Sequence, residues 1–146
     1  GFANRGGKLI ISPFFHYYTD YPYGMTPLNK TYKFNPILKD IEEDGVENVL
    51  GVEAPIWTEH VRDFEYLSYM TYPRFAAVAE TGWTYDFNKN PEDFNERMRA
   101  TVPLLEALGV KPAPAEVWNP SPWRRLIETL RFYKNTITMD MIKGYK

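Results

Sequence analysis

Two short triplets carry the chemistry this sequence has to offer. Trp57-Thr58-Glu59 closes the apolar run Val49-Leu50-Gly51-Val52-Glu53-Ala54-Pro55-Ile56, and Tyr18-Thr19-Asp20 follows a second run, Leu9-Ile10-Ile11. Each triplet sets an aromatic ring and a carboxylate two residues apart, and residues two apart on extended backbone point the same way. A flat ring beside a carboxylate suits a sugar: axial C–H groups lie on the aromatic face while hydroxyls donate to the carboxylate. If the two runs are neighbouring parallel strands, both pairs converge on one pocket. Each residue also has a plainer use. Trp57 and Tyr18 could fill a core, Glu59 could complement the first turn of a following helix, and Asp20 could simply start a loop.

The elements that must hold these triplets follow from the pattern around them. Gly6-Gly7 and Pro13 bound a short buried strand near residues 8–12, and a second strand is expected near 48–56, after Gly45. Asp20 to Pro36 reads as a long loop, with Tyr21-Pro22-Tyr23-Gly24 as turn chemistry. Such a long unstructured connection often lines a binding site. Ile37 to Glu43 is expected to form a short helix. Beyond Glu59, Phe64, Leu67, Met70 and Thr71 recur at helical spacing until Pro73, which lacks an N–H and must break the segment. A new helix starts there and continues through Phe75, Ala76, Val78 and Ala79, with Gly82 as its stop. Asn90-Pro91-Glu92-Asp93 is a strong helix start, with Phe94, Met98, Leu105 and Leu108 as the stripe, a kink at Pro103 and an end at Gly109. A Pro-rich connector from Lys111 to Pro120 leads to a last helix, capped by Ser121. Its expected buried stripe is Trp123, Leu126, Ile127 and Leu130, before a weakly structured tail from Thr136.

This order is α/β logic: a parallel pair joined by a right-handed crossover. Two buried parallel strands need neighbours on both edges and cover on both faces, so the chain reads as part of a larger sheet. Trp83 and Trp123 are expected as packing anchors. Glu53 is expected to be structural, and Arg74 and Glu80 to tie a helix to the sheet. His16 and His60 are expected to be structural or solvent-facing, and Ile41 to Asp44 to be a solvated face.

Composition narrows the classes. The chain has 146 residues, a formal charge of −2, no cysteine and two histidines. The size allows one domain with a core. Near-balanced charge argues against nucleic acid or an anionic membrane as the main partner. No thiolate or histidine-rich metal site is available, and no cofactor is implied. No apolar stretch is long enough for a membrane span. The first residue is Gly1, so a cut or processed product is expected, and location is left open. Aromatics make up 16%, which fits either a Tyr-rich core or a carbohydrate cleft.

The segments Gly51-Val52-Glu53-Ala54-Pro55-Ile56-Trp57-Thr58-Glu59 and Tyr72-Pro73-Arg74-Phe75-Ala76-Ala77-Val78-Ala79-Glu80-Thr81-Gly82-Trp83 resemble the last barrel strand and following helix of glycoside hydrolase family 20, the β-N-acetylhexosaminidases. Leu9-Ile10-Ile11-Ser12-Pro13, with Tyr18-Thr19-Asp20-Tyr21-Pro22 behind it, resembles the preceding strand and its loop. Tyr32-Lys33-Phe34-Asn35-Pro36 fits the loop between. The likeness covers roughly residues 6–110, in order. It implies the C-terminal portion, about two strand–helix units, of a (β/α)8 TIM barrel over residues 1–110, with its site at the strands' C-terminal ends. Residues 111–146 would form a connector, helix and tail.

The implied reaction is retaining hydrolysis assisted by the substrate's acetamido oxygen, so no enzyme nucleophile is required. By resemblance Tyr18 would position that oxygen, Asp20 and Glu59 would bind sugar hydroxyls, and Trp57 would stack beneath the pyranose. The family's general acid is a Glu that directly follows an Asp, in a His-x-Gly-Gly-Asp-Glu context. No Asp-Glu pair occurs in this sequence. The implied partners are therefore an N-acetylhexosamine-containing glycan and the rest of a barrel. Two alternatives stay open: a non-catalytic carbohydrate-binding module, and a barrel-completing fragment with no activity of its own.

Overall fold

The computed structural model describes residues 1–143, with side chains to 136. Two strands, β1 (Leu9–Ile11) and β2 (Val49–Val52), pair in parallel. Leu9 faces Val49 while Ile10 faces Gly51, so the register slips by one residue at Leu50. The Glu53 N–H donates to the Ile11 carbonyl at 3.1 Å and extends the pairing by one bond. Both strands are shorter than the spacing predicts. Pro13 and Pro55 lie just past their ends, and neither has an N–H for a ladder. Glu53, expected inside the strand, lies beyond its end and is exposed.

Seven α-helices occur among the described residues. They are α1 (Phe14–Tyr17), α2 (Leu28–Tyr32), α3 (Phe64–Thr71), α4 (Arg74–Trp83), α5 (Pro91–Ala107), α6 (Ala115–Trp118) and α7 (Pro122–Lys143). Of these, α4 packs on β2. The break at Pro73 falls where expected, at a cis Tyr72–Pro73 bond. Asn90 caps α5 as predicted: its side-chain oxygen accepts from the N–H groups of Glu92 and Asp93, both at 3.1 Å. The helix continues through Pro103 and stops before Gly109, whose φ of 81° is the left-handed geometry glycine permits.

The region expected to be an uninterrupted loop, Asp20 to Pro36, contains α2. Pro27 precedes its first turn, and Leu28, Thr31 and Tyr32 are buried. The short helix expected over Ile37 to Glu43 does not form. The Asn4 side chain takes backbone groups that such a helix would use: its Nδ2 donates to the Asp40 carbonyl at 3.0 Å, and its Oδ1 accepts from the Glu42 N–H at 3.1 Å. Helical turns of 3-10 type begin only at Glu43 and run to Asn48.

The core is built from helices rather than the sheet. Tyr23, Leu28, Tyr32, Ala77, Phe94, Ala113 and Trp118 form one buried cluster. Tyr32 stacks on Phe94 with ring centroids 4.4 Å apart. Trp118 lies in the segment expected to be a plain connector, and its indole N–H is satisfied by the Ala113 carbonyl at 2.7 Å. It takes the anchoring role expected of Trp83 and Trp123, which are 92% and 70% exposed. Phe64 and Leu108, expected within apolar stripes, are also exposed. In α7 the expected stripe fails for Trp123, Leu126 and Leu130, all exposed. The helix instead turns Arg125 and Glu128 onto Gly24. The Gly24 N–H donates to Glu128 Oε2 at 2.7 Å, and Arg125 Nε donates to the Gly24 carbonyl at 3.0 Å. A Cβ on Gly24 would lie 2.7 Å from the Glu128 Cβ, so only glycine permits this approach. The helix also persists to Lys143, past the tail expected from Thr136.

Glu80 on α4 joins three elements. It accepts from the Tyr32 hydroxyl at 2.7 Å and from both terminal nitrogens of Arg97 at 2.7 and 2.8 Å. The Arg97 hydrogen bonds hold its carboxyl below the usual carboxylate range, and Tyr32 adds to this. A carboxyl with a depressed folded-state value stabilises the fold above its unfolded value, about 4.3. That contribution is lost as pH falls through the lower, folded value. Thermal melts from pH 6 down to pH 3 should therefore show a smaller loss of stability in Glu80→Gln than in the wild type.

One face of the β-pair stays uncovered. Ile10 and Leu50 are exposed, and a groove of about 570 Å³ runs between β2 and α4, lined by Leu50, Val52, Phe75, Val78 and Trp83. No helix among the described residues is long and apolar enough to cross a membrane.

Candidate functional site

The two triplets leave the same ends of the parallel strands. Tyr18-Thr19-Asp20 follows α1, the single turn after β1, and Trp57-Thr58-Glu59 follows the extended segment after β2. A link between the segments fixes them side by side. The Thr19 N–H donates to the Pro55 carbonyl at 3.1 Å, and the Thr19 hydroxyl donates to the same oxygen at 3.4 Å. Thr19, the middle residue of its triplet, is buried, so this link is shielded from water.

Asp20 is the most constrained of the four candidates. It is 8% exposed, and its Oδ1 accepts no hydrogen bond among the described residues. Burial pushes its carboxyl above the usual carboxylate range. The Glu59 charge pushes the same way, while a backbone hydrogen bond, Arg74 and His60 pull it down. Glu59 itself is exposed, in the 3-10 turn Thr58–His60. Trp57 is 56% exposed, with its ring free on the surface. Tyr18 is half-buried, and its ring packs against Phe14 at 5.0 Å rather than against Trp57. The structure thus ties the first triplet, at Thr19, to the segment leading into the second, at Pro55. It leaves the Tyr18 and Trp57 rings without a mutual contact among the described residues.

The loop that carries Asp20 is held from below by Arg74. This guanidinium is fully buried at the start of α4. It donates to the carbonyls of Thr19 at 2.6 Å, Tyr21 at 2.7 Å and Thr26 at 3.3 Å, and to the Met70 carbonyl. It also lies over the Tyr23 ring, 4.2 Å from the centroid. Residues 19–26 therefore follow a path dictated by a cation that reads their carbonyls. The tying role expected of Arg74 is met, but what it ties to α4 is this loop.

Asp20 opens into a recess of about 190 Å³ shared with His60, Tyr66 and, from α7, Phe132, Asn135 and Thr136. The residues from α7 carried no local signal. The expected stripe selected Trp123 and Leu130, which turn outward, whereas Phe132 turns in. The pairing of Gly24 with Glu128, distant in sequence, is what orients the helix. No cluster of three or more His, Asp or Glu side chains that could hold a metal ion occurs among the described residues.

Comparison with known proteins gives consistent matches. Residues 1–86 match the model of glycosyl hydrolase family 20, catalytic domain. The chain is 36% identical over 87 residues to a β-hexosaminidase of Porphyromonas gingivalis, which covers 60% of this chain and 11% of that protein. It is 32% identical over 130 residues to a β-N-acetylhexosaminidase of Cellulomonas fimi, covering 82% of this chain and 25% of the relative. The chain thus spans at most a quarter of the length of these two relatives. Among solved structures, a mutant Streptomyces plicatus β-hexosaminidase in complex with its product, GlcNAc, superposes with a TM-score of 0.68 at 31% identity. That match covers 77% of this chain and 25% of the other.

Proposed function

Because this chain belongs to glycosyl hydrolase family 20, we propose that it supplies the sugar-binding half of a β-N-acetylhexosaminidase site and lacks the general acid. Residues 1–110 form the C-terminal portion of a (β/α)8 barrel, and the residues from 111 add the connector and the helix that runs to Lys143. The observation that supports this is the Thr19–Pro55 link, which joins the two segments that carry the triplets beyond the same ends of the parallel strands. Strand C-terminal ends are where barrel enzymes assemble their sites. The uncovered face of the β-pair and the groove beside α4 fit the position of further strands and helices.

In this account a terminal N-acetylhexosamine rests on the Trp57 face, and its hydroxyls donate to Asp20 and Glu59. Tyr18 orients the acetamido group, whose oxygen attacks the anomeric carbon as the bond to the leaving oxygen breaks. Positioning of this kind lowers the barrier by several kcal/mol (about 7–11 at best). The leaving oxygen still needs a proton. With no Asp-Glu pair in the sequence, that acid step forfeits its typical contribution of about 10²–10⁴-fold.

Two measurements test the proposal. The purified chain should release no detectable chromophore from a chromogenic N-acetylglucosaminide; measurable turnover would overturn the missing acid. N-acetylglucosamine should perturb tryptophan fluorescence, and Trp57→Ala should remove that response and weaken binding roughly tenfold, about 1.4 kcal/mol. An unchanged titration in Trp57→Ala would remove the indole from the site.

A further inference from the structure

We propose that α7, which lies outside the family-matched residues, supplies a wall of the Asp20 recess, and that Asn135 on it meets a sugar hydroxyl from the side opposite Asp20. The assignment rests on the sugar-binding role proposed above. Residues 1–86 carry the family match, whereas Phe132, Asn135 and Thr136 line the recess from residues well beyond it.

Two observations fix the helix to the site. Gly24, four residues after Asp20, exchanges hydrogen bonds with Glu128 and Arg125. The Phe132 ring then lies 5.2 Å from Tyr21 and 5.4 Å from His60, so it touches both segments that bear the candidate carboxylates.

The chemistry of the recess suits the hydroxyl-bearing edge of a saccharide. An ionised carboxylate can only accept, whereas an amide both donates and accepts. A hydroxyl placed between them donates to Asp20 and accepts from the Asn135 amide. The Thr136 hydroxyl donates to the Phe132 carbonyl at 3.0 Å, which leaves its oxygen as a further acceptor. Phe132 and Tyr66 provide apolar walls for C–H groups. The volume, about 190 Å³, would hold roughly six waters at about 30 Å³ each. In this account α7 limits what can be attached to that edge of the bound sugar.

The test is calorimetric titration of the full chain and its variants with N-acetylglucosamine and its monodeoxy analogues. Asn135→Ala should weaken N-acetylglucosamine binding about 3- to 10-fold, the range expected for one hydrogen bond. The loss should vanish with the one analogue that lacks the contacted hydroxyl. Gly24→Ala, which would press a methyl against Glu128 and lift α7, should weaken binding at least as much, with the far-UV spectrum of each variant checked against the wild type. If Asp20→Asn weakens binding while Asn135→Ala, Phe132→Ala and Gly24→Ala bind like the wild type, the role of α7 is refuted and the sugar site stands. If the wild type does not bind the sugar, the site fails and the role of α7 with it.

Discussion

Replacing Arg74 by methionine should cost the fold about 3–5 kcal/mol, as removal of one member of a buried charged network does. The side chain has no carboxylate partner in direct contact among the described residues. It is satisfied by the carbonyls of Thr19, Tyr21, Thr26 and Met70. Methionine would keep much of the volume and strand those oxygens in a buried site, where each unsatisfied group costs about 1–3 kcal/mol. Lysine would keep the charge but not the planar fork that serves several carbonyls at once, so Arg74→Lys should recover only part of the loss. A domain of this size has about 5–15 kcal/mol in hand, so the methionine variant should unfold at much lower urea. Loss of sugar binding should accompany it even where folding persists, because the same carbonyls set the path of residues 19–26. A shift below about 1 kcal/mol would mean that the loop does not depend on Arg74.

Asp20→Asn should separate stability from function. Burial raises the Asp20 carboxyl above its ordinary range, so folding disfavours its ionised form relative to the unfolded chain. A carboxyl raised in the folded state destabilises the fold once ionised, and stability is regained as pH falls through the folded value. The neutral amide should therefore melt no lower than the wild type wherever the wild-type carboxyl is ionised. The binding consequence runs the other way. A hydrogen bond to a charged acceptor is worth about 1.5–3 kcal/mol, so N-acetylglucosamine affinity should fall by roughly 10- to 150-fold. A variant that is both less stable and fully binding would contradict the account on both counts.

The parts legible in the sequence were those set by local chemistry. Pro73 broke its helix because it lacks an N–H, and Asn90 capped α5 because its side chain reaches the next two amides. The apolar runs marked the strands, and the resemblance to family 20 is matched by the family model over residues 1–86. The parts that were not legible were set at a distance. The 37–43 helix lost to Asn4, more than thirty residues away, whose amide takes its backbone groups. The face of α7 was chosen by Gly24 and Phe132 rather than by the most apolar stripe, so Trp123 and Leu130 face outward. Trp118 was hidden in a connector whose prolines read as loop. At the site, the two triplets were visible as spacing. The Arg74 clamp beneath them and the α7 residues beside them depend on contacts that no periodicity encodes.

Amide and indole NMR spectra of the labelled chain titrated with N-acetylglucosamine, with glucose as the control lacking an acetamido group, probe the central claim most directly. The account predicts shifts at residues 18–20 and 57–60, including the Trp57 indole N–H, and at residues 132–136. Glucose should leave the Tyr18 neighbourhood unmoved. Shifts confined to another surface, or none at concentrations where a family 20 site would be occupied, would contradict it.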